Sequence, residues 1–197
     1  MEAPESYDKR IARIMSKIED LRDYEMEDTC EEWPPQWMPP ITEKQAAAFE
    51  KKHGILLPAD YRRFITTIAA GGSQPFYGLE ALNQKDKYKA LSDLKKPFCY
   101  TLDQPLIIMS LTQEQLDQQP DEDEIGGFLT LCTEGCSMDS ILVVNSKDPD
   151  TYGTVWFYDL SDDFGIAPMR DKETGRPFCF LDWLEYWADE TAKQRDD

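Results

Sequence analysis

Near the start of the chain, Ile11, Ile14, Met15, Ile18 and Leu21 recur at helical spacing. The pattern predicts an amphipathic helix with one buried stripe. Thr42 and Gln45 have the spacing of a capping box, opening a second helix that carries Phe49 and stops at Gly54. Leu57 and Pro58 begin a third, with Asp60 near its positive end and Tyr61, Phe64, Ile65 and Ile68 at i, i+3, i+4 and i+7. The period then changes. "PLIIMSL", "FLTLCT", "SILVVN" and "GTVWFYDL" are brief and rich in β-branched and aromatic residues, which predicts strands. The turns between the last three, "TEGCSMD" and "SKDPDTYG", are short enough for antiparallel hairpins. Finally, "PFCFLDWLEYWADETAK" sets Phe180, Leu184, Trp187 and Ala188 on one helical face. N-terminal helices, a central antiparallel sheet and a closing C-terminal helix make an α+β fold, not a βαβ nucleotide-binding pattern.

Two connecting stretches interrupt this order. "WPPQWMPP" holds prolines at 34, 35, 39 and 40, which exclude a helix and favour an extended strap with Trp33 and Trp37 as core cover. Residues 1–41 are accordingly expected to form a helix and a Pro/Trp-rich strap packed on a body formed by residues 42–197. After Gly78, "NQKDKYKALSDLKK" predicts a short basic helical piece. The adjacent Gly71 and Gly72 fall where the third helix ends. A phosphate loop offers backbone N–H groups at a helix start after a strand, whereas carbonyls dominate a helix end. The pair is therefore expected to supply positive φ at a C-cap, and Phe76 and Tyr77 beyond it to fill the core.

Charge changes the picture most. The 197 residues include 21 basic and 39 acidic side chains, a net charge of −18. Residues 1–40 hold 5 basic and 11 acidic groups, residues 41–97 hold 10 and 6, and residues 98–197 hold 6 and 22. Such a field repels phosphate backbones and anionic lipid, which argues against nucleic-acid and membrane partners and favours a basic protein partner. No apolar run approaches the roughly 20 residues of a spanning helix. The start "MEAPESYDKR" lacks the basic and apolar regions of a secretory signal, so a cytoplasmic location is expected.

Catalytic chemistry finds little support. The single histidine, His53, precedes the helix-ending Gly54, where it suits the dipole without a partner. The five cysteines, at 30, 99, 132, 136 and 179, read as reduced thiols, and Cys132 and Cys136 are spaced wrongly for zinc. From Asp148, the alternation with Asp150, Gly153 and Asp159 fails as a calcium loop because Tyr152 takes a ligand position. No cofactor, metal or catalytic residue is expected.

With these motifs in place, the chain resembles the SUKH superfamily, which includes the fungal cell-wall-assembly regulator and many bacterial immunity proteins. "FEKKHGILLPADYRRFITTIAAGG" is similar to the family's helix, Leu-Pro, aromatic helix and Gly-Gly signature. "FLTLCTEGCSMDSILVVN" resembles its central hairpin, "GTVWFYDL" the next strand and "FLDWLEYW" the terminal helix, so that residues 42–190 are covered. The resemblance implies a non-catalytic binding scaffold that neutralises a cognate toxin. A regulatory interaction module of an endogenous pathway is the alternative. Together with the acidity of the C-terminal half, it points to a basic, nuclease-type toxin domain met by loop carboxylates. The candidates are Asp121, Glu122, Asp123, Glu124, Glu134, Asp139, Asp159, Asp162 and Asp163, with Phe76, Tyr77, Tyr152 and Phe164 as candidate aromatic anchors.

Overall fold

A computed structural model describes residues 5–21, 36–82, 92–160 and 164–196. Trp33, Pro34, Pro35, Asp162, Asp163 and the greater part of the basic piece after Gly78 lie outside these residues. The described end of that piece, Ser92–Lys96, is a turn and not a helix.

Helix α1 spans Tyr7–Asp20 and buries Ile11, Ile14 and Ile18, with Leu21 buried at its C-cap. Helix α2, Glu43–His53, starts at the capping box of Thr42 and Gln45 and ends with Gly54 in the left-handed conformation, at φ 69°. Helix α3, Ala59–Thr67, has Pro58 at its N-cap. The hydroxyls of Thr66 and Thr67 turn back onto the carbonyls of Arg62 and Arg63, satisfying the last turn locally. Gly71 and Gly72 lie beyond the helix and neither has positive φ, which corrects the C-cap expectation. Their lack of a side chain serves close approach instead. A Cβ on Gly72 would stand 2.6 Å from the Trp37 ring and one on Gly71 2.8 Å from the Leu79 carbonyl oxygen. Trp37 pairs with Gly72 in an antiparallel bridge and meets Phe64 edge-on, with ring centroids 6.2 Å apart.

The sheet consists of β1 (Leu106–Ile107), β2 (Phe128–Gly135), β3 (Met138–Val143), β4 (Val155–Asp159) and β5 (Gly165–Pro168), in the order β1-β5-β4-β3-β2 with every pairing antiparallel. Strand β5 is not foreshadowed by the hydropathy pattern. A four-residue strand with glycine at one end and proline at the other carries no run of strand formers. The β2–β3 hairpin turns on Cys136 and Ser137, both at positive φ (49° and 66°), the sense of twist that a two-residue hairpin needs. Short helical turns precede β2: Ile108–Ser110, α4 (Gln113–Leu116) and Glu122–Glu124.

Strand alternation gives each face its own core. Leu129, Leu131, Leu142 and Val155 join α1, α3 and the closing helix α5 (Phe180–Asp196). Phe98, Tyr100, Ile125, Ile141, Trp156, Tyr158 and Ile166 pack on the opposite face beneath the 97–127 connection. Within the larger core, Phe180 stands 5.0 Å from Tyr61 and 5.2 Å from Phe64. Buried Asp60 ties the helices together: its carboxylate accepts the N–H of Leu181 at 3.1 Å in the first turn of α5, where an anion is favoured.

Candidate partner-binding surface

The sequence-predicted carboxylates separate into two groups. Asp121 precedes the short turn Glu122–Glu124 without a side-chain capping bond, and all four side chains from Asp121 to Glu124 are exposed. The turn is anchored by Ile125, which is buried in the smaller core with Tyr158. The result is a knob of four adjacent exposed carboxylates beside a buried isoleucine. None of the four enters an ion pair among the described residues. In sequence the turn lies within a run, Pro97 to Ser146, that contains no lysine, arginine or histidine, although the Lys96 side chain packs beside Gly126. That cation-free run is the sequence signal for this surface.

Glu134, Asp139 and Asp159 behave differently, and the expectation that they lie in loops is corrected. All three are strand residues, and Asp139 and Asp159 are only 3% and 2% exposed. Asp139 accepts a hydrogen bond from the Thr133 hydroxyl at 2.8 Å across the β2–β3 pair. Half-buried Glu134 accepts one from Ser140 Oγ at 2.5 Å, and Ser140 Oγ in turn accepts from Trp183 Nε1 at 3.0 Å. Burial pushes the Glu134 carboxyl above its ordinary range, and the Ser140 hydrogen bond only partly offsets it. The same burial, with Glu134 nearby, holds the Cys132 thiol well above its ordinary value. These groups are sheet fittings, satisfied from within.

The candidate aromatics also divide. Phe76 packs against the larger core. Tyr77 does not join it: the side chain is 67% exposed and lies over Gly135 at the β2–β3 turn. Tyr152 is exposed and donates its hydroxyl to the Leu56 carbonyl, and Phe164 is exposed with its ring edge-on to Phe157 at 5.0 Å.

The densest charge cluster lies elsewhere, at the junction of α1 and α5. Arg10 and Arg176 both donate to Asp182, at 2.5 Å and 2.8 Å, while Arg10, Arg13 and Lys17 converge on Glu185 and Lys17 also reaches Asp189. Burial of Asp182 opposes its charge. The hydrogen bonds from Arg176, the Cys179 N–H and Arg10 outweigh burial and hold the carboxyl at about 2. Cys179 beside it is pushed up to about 12 by burial and then by the neighbouring carboxylates Asp60 and Asp182. A groove of about 580 Å³ runs along this cluster between α5 and the Asp171–Arg176 turn. Its charges are largely matched, so it reads as a clamp between helices.

Little here resembles a reacting centre. His53 stacks on Phe49 at 4.5 Å, and burial, Lys52 and Lys95 lower its basicity. The Asp148 carboxylate accepts from the Thr151 hydroxyl and the Asp150 N–H, so the suspected calcium stretch is a self-bonded turn. Among the described residues no cluster of three or more His, Cys, Asp or Glu has metal-binding geometry, and no helix is long and apolar enough to cross a membrane.

Comparison with protein families decides the relationship. The sequence model of the SMI1/KNR4 family (SUKH-1) matches residues 40–181, from the strap to the start of α5. The chain belongs to the SMI1/KNR4 family. SUKH domains are known as immunity and regulatory domains and are generally non-enzymatic, and the family suggests a protein partner. No curated protein and no solved structure matches the chain. Helix α1 lies outside the family match, yet its isoleucines belong to the same core as α3 and α5.

Proposed function

We propose that this SMI1/KNR4-family protein is a cytoplasmic immunity protein that binds a cognate toxin and blocks it, the toxin being a basic, nuclease-type domain. The observation that carries the reading is the exposed Asp121–Glu124 knob within a stretch of sequence free of basic residues, in a chain of net charge −18. A nuclease concentrates positive charge where it holds phosphate. An acidic partner is drawn to that cleft and covers it, competing with the nucleic-acid backbone. The family supports binding rather than turnover.

The test pairs the purified protein with the product of the adjacent toxin gene. A stoichiometric complex should form, nuclease activity should fall in proportion to complex, and cells carrying both genes should survive. A toxin that stays active at saturating immunity protein, or that shows no binding by calorimetry, overturns the proposal.

A further inference from the structure

We infer that the end of the sheet left bare by α5, carried by Ile107, Met109, Met138, Phe157 and Phe164, is an apolar docking patch. It takes a partner segment that presents aliphatic side chains flanked by lysine or arginine. The partner's basic character rests on the immunity reading, whereas the patch itself follows from strand register and exposure.

Register places the patch. Val155 points into the larger core, and Phe157, two residues on, shares its face, while Trp156 and Tyr158 fill the smaller core. The same alternation turns Ile107 away from buried Leu106 and sets Met138 on the face of Ser140 and Leu142. Helix α5 covers this face as far as Ser140, whose hydroxyl oxygen accepts the Trp183 indole N–H at 3.0 Å. Phe157 is the β4 partner of Ser140, and there the cover stops. Among the described residues Ile107, Met138 and Phe157 are half-buried, and none joins either core.

The patch continues beyond the strands. Phe164, 45% exposed, sets its ring against that of Phe157, and its carbonyl accepts the Ile108 N–H at 3.1 Å. That bond holds the turn bearing Met109, which is 79% exposed. Aromatic and methionine side chains gathered in one place mark an interaction surface where scattered ones would not. The sheet edge beside them is ill suited to strand addition. Strand β1 is two residues long and preceded by Pro105, and the Ser110 hydroxyl donates to the Ile107 carbonyl at 2.7 Å. A partner therefore meets side chains here, not backbone.

Charge chooses the occupant. Residues 105–114, 133–139 and 157–168, which supply the patch, contain six acidic residues and no lysine, arginine or histidine. Arg170, the next cation along the chain from β5, is engaged with the carbonyls of Leu102 and Gly175. A second copy would set this acidity against itself, in a chain of net charge −18, so self-association is opposed. A lysine or arginine beside the apolar anchor gains where an acid loses. Burial of the rings supplies affinity, and the flanking charge supplies selectivity and encounter rate.

The test titrates the whole ¹⁵N-labelled chain with an amphipathic Leu/Lys helix peptide. A Leu/Glu peptide with the same apolar face and a Ser/Lys peptide with the same charge serve as comparisons. Saturable amide shifts should gather at Ile107, Met109, Phe157 and Phe164 with Leu/Lys alone. Phe164→Ser and Met109→Ser change exposed side chains and should each weaken that affinity about tenfold, with dispersed spectra certifying the fold. Equal shifts from either comparison peptide, shifts confined to Asp121–Glu124, unchanged affinity in both variants, or a dimer formed through the patch without peptide overturns the inference. If that happens while the neighbouring toxin still binds, the immunity reading survives. Leu/Lys-specific shifts at the patch without toxin binding remove that reading and retain the patch.

Discussion

Replacing Asp182 by asparagine keeps the side chain's shape and removes its charge from the middle of the α1–α5 clamp. In the folded protein the carboxyl titrates at about 2 instead of its ordinary 3.8. A group whose folded pKa is depressed contributes stability above its unfolded value and loses it as pH falls through the folded one. At about 1.4 kcal/mol per unit, the depression corresponds to about 2.4 kcal/mol at pH 7 and about half that at pH 3. Water reaches Arg176, whose side chain is 61% exposed, and returns part of the loss, so about 2 kcal/mol is expected at neutral pH. Urea unfolding followed by tryptophan fluorescence, on both proteins at pH 7 and pH 3, measures the difference. A gap below about 0.5 kcal/mol at pH 7, or one equally large at pH 3, would refute the claim that the charge of Asp182 holds the two helices together.

Gly72→Ala should cost about 1–3 kcal/mol, read as a lower urea midpoint, because the new methyl would meet the Trp37 ring at 2.6 Å. Glu134→Gln should stabilise the protein at pH 7. A raised folded pKa means that ionisation is penalised in the native state, so the variant's advantage should vanish below about pH 4, where Glu134 itself is protonated. Ser140→Ala leaves Trp183 Nε1 and Glu134 without their shared hydroxyl and should lower stability by about 1–3 kcal/mol in thermal or urea melts. Neutral amides at Asp121–Glu124 should slow toxin association in stopped-flow, most at low salt, and flatten its salt dependence. An unchanged rate would free that knob from any steering role.

Much of the architecture was legible because local rules and burial agree. The stripe of α1, the Thr42 capping box, the Gly54 stop and the apolar face of α5 follow from spacing alone. Strand β5 escaped because its neighbours, not its residues, make it a strand: Ile166 pairs with both Leu106 and Tyr158. Gly71 and Gly72 were legible as special but not as contact glycines, since what excludes a Cβ is the Leu79 backbone at Gly71 and the Trp37 ring, far off in sequence, at Gly72. Charge is a fair guide to exposure in the Asp121–Glu124 run. It misleads at Asp139, whose partner Thr133 is set opposite it by strand register. Tyr77 misleads in the other direction, since composition cannot say that a ring beside a tight turn will be held outward.

Helix α1 has a practical corollary for anyone trimming the gene. A fragment that begins at residue 40, where the family match starts, would uncover a greasy trough where Ile11, Ile14 and Ile18 now rest, and would strip Glu185 and Asp189 of their counter-ions. Such a fragment should clump or unfold, so the leading segment is best regarded as a keystone and not as a tag.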